Sequence, residues 1–261
     1  MKHLLDTIIK ENRRLSERYT MLLLQLPPQS ATPEDTFAVL PGQFVEVKVD
    51  NSPATYLRRP ISICDYDPAT AQLTLLIRRA GEGSEHLCDL PAGSTVNIVG
   101  PLGHEFTIPE AGKSVLLAGG GVGVAPLLFF GKRLKEAGSQ PTFLLAARTE
   151  SELLLLNEFR AIGNVELATD DGSAGEKGYA ADHSVFNRKF DLICCCGPKP
   201  MMVGVAKKAK ATGTPCEVSL ENLMACGLGA CLCCVEPTLK GNLRACVDGP
   251  VFNTDLLLWD L

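Results

Sequence analysis

The sequence predicts an antiparallel β-barrel over residues 1–101, a parallel α/β domain over 102–215 and a small cysteine-rich module over 216–261. Short alternating strands separated by Pro, Gly, Asn and Asp predict the barrel. Continuous apolar strands that alternate with helices predict the parallel sheet. Five of the eleven cysteines lie between Cys226 and Cys246, in a Gly-rich stretch with few large apolar residues. We therefore expect a metal to organise this last module.

The strands of the first unit are marked by alternation of apolar and polar residues. The clearest are FVEVKV (44–49), LTLLIRR (73–79) and TVNIVG (95–100). A period of two places one side of each strand in a core and the other side toward solvent. Several such strands at short spacing are typical of a barrel or a sandwich.

The second unit begins where strands and helices start to alternate, after residue 112. Apolar runs predict strands, and a period of 3.6 residues predicts helices. Ser151 has the residue type of a helix N-cap. The predicted strands are SVLLAGGG (114–121), TFLLAAR (142–148), VELATDDG (165–172) and DLICCCG (191–197), and the predicted helices are VAPLLFFGKRLKEAG (124–138) and SELLLLNEFRAIG (151–163).

Composition and charge exclude several classes of protein. The net charge is −5, so the chain lacks the basic footprint of a nucleic-acid-binding protein. The N-terminus shows no secretory signal, and no apolar run approaches the roughly 18 residues of a membrane span. An odd number of cysteines argues against a disulfide scaffold. We therefore expect a cytoplasmic protein whose cysteines bind metal or carry redox chemistry.

The spacing of the C-terminal cysteines is the most specific signal in the chain. Four residues separate Cys226 from Cys231, two separate Cys231 from Cys234, and eleven separate Cys234 from Cys246. This is the plant-type spacing of a [2Fe-2S] cluster. Cys233 fits no ligand position and is interpreted as a spare thiol. The alternatives are a structural zinc site, which favours Cys-x2-Cys pairs, and buried free cysteines.

Two glycine-containing turns follow predicted strands of the α/β domain. LLAGGGVGVAP (116–126) runs from a strand into a helix start, where bare amides favour a phosphate. It departs from the strict G-x-G-x-x-G fingerprint, and the alternative is a tight turn alone. CCCGPKPMM (194–202) is a second such junction, and it would face the same crevice. Cys196 there is either packing filler or a neighbour of a nicotinamide ring, and burial is favoured for Cys194 and Cys195.

Three short segments of the first unit suggest a flavin site. Arg59 in RRPISICDYD (58–67) could pair with a diphosphate, and Ser62 could donate to the edge of a flavin ring. GEGS (81–84) and GPLG (100–103) are small-residue turns whose amides could cradle phosphate. The alternatives are surface ion pairs and ordinary turns.

Taken together and in this order, the segments resemble the ferredoxin–NADP⁺ reductase superfamily. Within it, the chain resembles the electron-transfer subunits of class 1B dihydroorotate dehydrogenases over nearly its whole length. The resemblance is based on the segments RRPISI, GEGS, GPLG, GGGVGVAPL, CGPKPMM and ACGLGACLCC, with the later Cys246 and GPVF. The resemblance implies that residues 1–101 bind FAD, that 102–215 bind NAD and that 216–261 hold the cluster.

The resemblance also implies a role for individual residues. Ser62 would lie at the reactive flavin ring, and Cys196 would lie beside the nicotinamide. Ser84 stands where the family usually has Thr, and Cys233 where it more often has Gly. The implied flavin residues are Arg59, Pro60, Ile61, Ser62, Gly81, Gly83 and Ser84; the nucleotide residues are Gly119, Gly120, Gly121, Gly123, Gly197 and Pro198; the cluster ligands are Cys226, Cys231, Cys234 and Cys246.

The activity implied by the resemblance is an electron relay in pyrimidine biosynthesis. An FMN-containing partner subunit would oxidise dihydroorotate, and electrons would pass through the [2Fe-2S] cluster and FAD to NAD⁺. The assembly would be a hetero-oligomer, a heterotetramer in the family. One alternative is a flavin and iron–sulfur subunit of another NAD(P)H:acceptor complex, such as a ferredoxin:NADP, sulfide dehydrogenase or hydrogenase-linked enzyme. Another is a non-catalytic iron–sulfur interaction or redox-sensing protein.

The choice between NAD and NADP rests on charges near the predicted crevice. Arg148 follows the second strand of the domain, where a 2′-phosphate could be read. Glu150 and Glu152 would repel that phosphate, and Asp170 and Asp171 begin a polar turn. The acidic residues agree with NAD, and the alternative is that all of these are solvated loop charges.

Overall fold

The computed structural model describes residues 2–28 and 37–261. Its N-terminal part is a closed antiparallel barrel with the strand order β1-β2-β5-β4-β3-β6. Alternate side chains of each strand fill the interior, as Val96 and Ile98 of β6 do, which confirms the predicted period of two. The strands are β1 (His3–Arg14), β2 (Tyr19–Gln25), β3 (Phe44–Val47), β4 (Arg59–Asp67), β5 (Gln72–Arg78) and β6 (Thr95–Leu102), and the helix α1 (Glu82–Asp89) follows β5.

The remainder of the chain forms a seven-stranded sheet with the order β10-β9-β8-β7-β11-β12-β15. All neighbouring pairs are parallel except the pair of β12 with β15. The strands are β7 (Ser114–Gly120), β8 (Gln140–Ala147), β9 (Asn164–Thr169), β10 (Glu176–Lys177), β11 (Leu192–Cys196), β12 (Cys216–Ser219) and β15 (Val251–Asn253), and the helices are α2 (Val124–Glu136), α3 (Leu156–Ile162) and α4 (Lys199–Thr212). The order reverses direction between β7 and β11, the place where such sheets bind ligands.

Helix α2 joins the barrel to the sheet. Its Phe130 stacks on Phe106 with ring centroids 4.9 Å apart, and its Lys132 forms an ion pair with Asp65 of β4. Both phenylalanines are fully buried. The barrel is therefore held against one face of the sheet by a continuous apolar core.

The predicted helix over 151–163 is wrong in its first half. Helix α3 begins only at Leu156, and Ser151 lies in a 3₁₀ turn formed by Glu150–Glu152. Leu155 has a left-handed φ of 56°, which ends any helical run before it. Leu154 and Leu155 are buried in this conformation. Packing of the leucines against the core therefore overrides the N-cap signal of Ser151.

The last 46 residues are divided between the large sheet and a separate hairpin. Strands β12 and β15 belong to the seven-stranded sheet, whereas β13 (Val235–Thr238) and β14 (Gly241–Arg244) form a separate two-stranded sheet. The predicted boundary at 215/216 thus falls at the first residue of a sheet strand. Leu257 is buried and Trp259 packs on the core, while Leu258 is 59% exposed.

Across residues 2–28 and 37–261, no helix combines the length and apolar character that crossing a membrane requires.

Candidate functional site

A cavity of about 630 Å³ lies at the carboxyl ends of the parallel strands. Gly120 and Gly197 line it at the point where the strand order reverses, and Ala147 and Asp170 line it beyond β8 and β9. The barrel supplies the opposite wall through Arg18, Tyr19 and Arg78. The cavity is thus a crevice between the two units, and it has the size and position of a nucleotide site.

The two glycine turns predicted from the sequence meet at the base of this cavity. A Cβ built on Gly120 would lie 2.6 Å from the sulfur of Met201, and one built on Gly123 would lie 2.6 Å from the amide nitrogen of Gly197. Gly121 has a φ of +56°, and Gly119 packs beneath the turn against Val124. These positions therefore have no room for side chains. Backbone groups without side chains face the cavity near the start of α4.

Cys196 lies beneath this turn, while Gly197 and Pro198 reach the cavity wall. The Cys196 side chain is 1% exposed, and burial raises the pKa of its thiol well above the usual range. The thiol is therefore neutral and shapes the floor of the site. Cys194 and Cys195 are also fully buried, which confirms the simple burial expected for them.

Charged residues of both signs surround the cavity. Arg148, Glu152 and Asp170 line it, but Glu150 and Asp171 do not appear in its wall. Glu152 Oε1 lies 3.3 Å from Nη1 of Arg18 in the barrel. This ion pair links the two walls of the crevice, and its carboxylate lines the same cavity as Arg148.

The flavin motif and the GEGS turn are brought together on the barrel. The Arg59 guanidinium donates to the carbonyl oxygens of Leu57 and Arg58 at 3.1 and 3.3 Å. Its Nε would lie only 2.8 Å from a Cβ built on Gly83. Glycine at position 83 therefore lets the guanidinium rest over the first turn of α1, whose amides lack intrahelical acceptors.

Ser84 organises that turn through its own hydroxyl group. Its Oγ accepts from the amides of Ala80 and Gly81 at 2.9 and 3.2 Å, and it donates to the carbonyl of Gly81 at 2.9 Å. Because a threonine hydroxyl could make the same bonds, the serine keeps the shape of the turn. The amides of the first turn and Arg59 together form a cradle that suits a diphosphate.

The remaining flavin-motif residues lie along β4. Pro60 pairs with Glu46 of β3, Ile61 with Val45, and Ser62 with Phe44. Ser62 is half-buried, so its hydroxyl remains accessible to a bound ring.

The structure arranges the four predicted ligand cysteines in two pairs. Hydrogen bonding from Cys231 contributes to the lowered pKa of Cys226, and hydrogen bonding with Cys234 contributes to the raised pKa of Cys246. The amide of Cys246 also donates to the sulfur of Cys234 at 3.4 Å. Cys233 is exposed and makes none of these contacts.

Electrostatics differ between the two cysteine pairs. Donation from the amide of Leu228, followed by donors from Cys231 and Ala230, lowers the pKa of Cys226 to about 6. Burial and the neighbouring Cys234 raise the pKa of Cys246 to about 12. Cys226 is therefore poised to bind metal as a thiolate, and Cys246 stays protonated until a metal displaces its proton.

The backbone around the cysteines fits a cluster. Gly227 and Gly229 have φ values of +64° and +83°, so the loop curls in a way that only glycine adopts freely. Arg244 ties this loop to the segment of Cys246, because Nη1 donates to Gly229 at 3.4 Å and Nε to Asp248 at 3.0 Å. In the described part of the chain, no three His, Cys, Asp or Glu side chains converge on one ion. Two thiol pairs suit two irons, each held by two thiolates.

One residue of this region escaped the sequence prediction. Glu46 of β3 is 1% exposed, and burial raises the pKa of its carboxyl to about 7 against the attraction of Arg58. The polar position in FVEVKV was expected to face solvent. The alternation of apolar and polar residues along the strand cannot predict that the loop of Cys226 and Gly227, about 180 residues later in the chain, covers Glu46.

Comparison with known proteins agrees with this layout. Residues 6–106 match the family model described as "Oxidoreductase FAD-binding domain". Residues 221–258 match the model described as "Iron-sulfur cluster binding domain of dihydroorotate dehydrogenase B". The two matches cover the barrel and the cysteine-rich segment.

Individual relatives extend the similarity over most of the chain. The chain is 41% identical over 219 residues to a "Dihydroorotate dehydrogenase B (NAD(+)), electron transfer subunit" of Shouchella clausii, with 81% of this chain and 84% of the relative covered. A protein of the same name from Listeria monocytogenes serotype 4b is 41% identical over 221 residues, covering 82% and 86%.

Among solved structures, a similar one is described as an NADH-dependent reduced ferredoxin-NADP oxidoreductase. The TM-score is 0.85 at 33% identity, and 97% of this chain and 90% of that chain are covered. The cytochrome b5 reductase domain of Ulva prolifera nitrate reductase gives a TM-score of 0.66 at 19% identity, covering 81% and 93%. The latter likeness shows the fold alone.

Proposed function

The chain belongs to the family of dihydroorotate dehydrogenase B electron-transfer subunits, and on this premise we propose that it relays electrons from dihydroorotate oxidation to NAD⁺. The oxidation takes place in a catalytic partner subunit that contains FMN. When bound, the [2Fe-2S] cluster supplies one-electron transfer and FAD exchanges either one or two electrons, which links the partner's flavin to the two-electron chemistry of NAD⁺. The chain's own residues bind and orient these groups.

The observation that carries this proposal is that one chain contains both two pairs of cysteine thiols and a crevice suited to a nucleotide. Cys226 with Cys231, and Cys234 with Cys246, form the two donor pairs of a two-iron site. Cys233 stands apart, which supports Cys234 as the ligand. A non-catalytic iron–sulfur protein would need neither the crevice nor the cradle at Arg59.

We assign the flavin and nucleotide contacts to the residues of the predicted motifs. Arg59 and the turn of Gly81, Gly83 and Ser84 hold the flavin diphosphate, and Pro60 and Ile61 support the ring. Ser62 presents its hydroxyl to the reactive edge of the ring. Gly119, Gly120, Gly121 and Gly123 with Gly197 and Pro198 admit the dinucleotide. Cys196 forms the floor beneath the nicotinamide.

Exposed apolar side chains around the cluster loop support a partner subunit on that side. Leu223, Leu228 and Leu232 are 85%, 50% and 62% exposed. Large apolar groups gathered on one surface mark an interface. The proposed assembly is a hetero-oligomer, and two copies of each subunit would make the heterotetramer that the resemblance implies.

The test is an anaerobic reconstitution. The chain is mixed with an FMN-type dihydroorotate dehydrogenase catalytic subunit from the same source, and dihydroorotate-dependent NAD⁺ reduction is followed at the NADH absorbance band. Each subunit alone is the control. Activity only in the mixture is expected. An inactive mixture in which both subunits carry their cofactors would contradict the proposal.

A second candidate is favoured by the 33% identity to the ferredoxin-NADP oxidoreductase structure. In that case the chain would exchange electrons between NAD(H) and another acceptor complex. NADH would still bleach the bound flavin, but dihydroorotate would not reduce NAD⁺ in the mixture.

A further inference from the structure

Glu46 is a buried carboxyl group without a hydrogen-bond partner. It is 1% exposed, and within the described residues neither of its oxygens has a donor. Leaving a buried polar group unpaired costs about 1–3 kcal/mol, and more for a charge. Because this burial is costly, we expect the Glu46 carboxyl group to have a function.

The strand geometry directs Glu46 away from the barrel interior. Val45 and Val47, its neighbours in β3, belong to the barrel core. Phe44, on the same side as Glu46, packs instead in the core that contains Cys234 and Cys246. Because side chains alternate along a strand, Glu46 points toward the cysteine-rich module.

The carboxyl group lies directly against the cysteine loop. A Cβ built on Gly227 would sit 2.6 Å from Glu46 Cγ and 2.9 Å from Oε1. Gly227 follows Cys226, whose thiolate interacts electrostatically with Glu46. Contact this close with the backbone leaves room only for glycine at position 227.

The opposite side of Glu46 faces the flavin motif. Arg58 and Arg59 both attract its carboxylate, and Pro60 pairs with Glu46 across the strands. Arg58 also bonds the Glu46 carbonyl oxygen through Nη1 at 3.3 Å. One buried residue thus touches both the strand pair that carries the flavin motif and the loop that carries the first cluster thiol.

We propose that Glu46 is a positioning residue between the two redox sites: its side chain packs under the loop of Cys226 and Gly227, and its carboxylate makes the cluster harder to reduce. This inference rests on the proposed function, because it assumes the cluster at the four cysteines. Reduction adds negative charge to a cluster, and a nearby carboxylate in a region of low dielectric disfavours that added charge.

The test compares Glu46→Gln with the wild type in the reconstituted complex that carries its cofactors. Glutamine keeps the size of the side chain and removes the charge. The cluster's reduction midpoint is measured by redox titration followed by electron paramagnetic resonance, at a pH well above the carboxyl pKa. We expect the midpoint to shift to more positive potential at unchanged cluster and flavin content. Glu11→Gln, an exposed change on β1, controls for net charge and should leave the midpoint unchanged.

An unchanged midpoint in Glu46→Gln would overturn the proposal. If that variant takes up no cluster, Glu46→Asp decides. A cluster-loaded Asp variant with a midpoint near that of the wild type supports the role of the charge. A folded Asp variant without cluster overturns it, because volume alone would then hold the loop. These readouts need no dihydroorotate turnover, so failure of the relay and failure of the Glu46 role are distinguishable.

Discussion

The backbone carbonyl oxygen of Cys196 would lie only 2.4 Å from a Cβ built on Gly123. These two residues are far apart in the chain, at the ends of the neighbouring parallel strands β7 and β11. Their contact brings the two glycine turns to one side of the crevice, and it requires the absence of a side chain at position 123.

The close approach predicts that Gly123→Ala weakens both nucleotide binding and the fold. The new methyl group meets rigid backbone, and overpacking of this kind costs about 1–3 kcal/mol. Gly120→Ala is the matched comparison, because its Cβ would meet the movable Met201 side chain. NADH affinity and the urea midpoint of unfolding should both fall more for Gly123→Ala. Equal effects of the two substitutions would contradict the packing argument.

The pairing of thiols predicts different outcomes for two neighbouring cysteines. Cys231→Ala removes a proposed ligand and should abolish the cluster's visible absorption and iron content while FAD stays bound. Cys233→Ala removes an exposed thiol without such contacts and should retain both. Iron and acid-labile sulfide assays on purified protein measure the difference. Cluster content that depends on Cys233 and not on Cys231 would reverse the ligand assignment.

The position of Arg59 over the α1 turn predicts weaker flavin retention in Arg59→Ala. A charge-assisted hydrogen bond is worth about 1.5–3 kcal/mol, so FAD affinity should fall by about 10- to 100-fold. Flavin release on dilution or by equilibrium dialysis measures it. Arg160→Ala, an exposed change on α3, is the control. Equal flavin affinity in the two variants would contradict the assignment of Arg59 to the flavin site.

The Glu152 carboxylate, which lines the same cavity as Arg148, predicts a change of nucleotide preference in Glu152→Gln. The substitution removes a charge that repels a 2′-phosphate and releases Arg18 from its ion pair. NADPH oxidation with an artificial acceptor should rise several-fold relative to NADH oxidation, as a ratio of kcat/KM values. Glu150→Gln lies outside the cavity wall and should not change the ratio. A preference for NADH that is identical in both variants would show that another group excludes the phosphate.

Asp191 predicts a pH-dependent contribution to stability. Its carboxylate accepts from the amide and the hydroxyl of Ser114 at 2.8 and 2.9 Å, and these bonds lower its pKa. The native state then binds fewer protons than the unfolded chain, so this stability is complete above about pH 4 and is lost as the pH falls through the native pKa. The urea midpoints of wild type and Asp191→Asn should differ at neutral pH and converge as the pH falls through the lowered native pKa of Asp191. A gap that is constant with pH would contradict this.

Sequence patterns were sufficient where the signal is local. The glycine turns, the barrel alternation and the cysteine spacing each lie within a short stretch of chain. The structure bears out the strands and turns that the first two predict, and the iron–sulfur family model matches the segment that contains the cysteines. The helix expected from Ser151 was wrong because burial of Leu154 and Leu155 decides that stretch. An N-cap preference is worth about 1 kcal/mol, less than burying two leucines.

The sequence by itself determined the fold class and the kinds of cofactor, because spacing along the chain sets which backbone turns and which donors recur together. Three relationships were decided only by the tertiary structure. Cys226 lies next to Cys231, and the carbonyl group of Cys196 leaves no room for a side chain at position 123. Glu46 is buried under the loop that contains Gly227. These relationships join residues up to 181 positions apart, as Glu46 and Gly227 are. They arise because whole elements pack closely, so that each segment fills the space left by a segment far away in the sequence. A local sequence pattern contains no information about that distant segment.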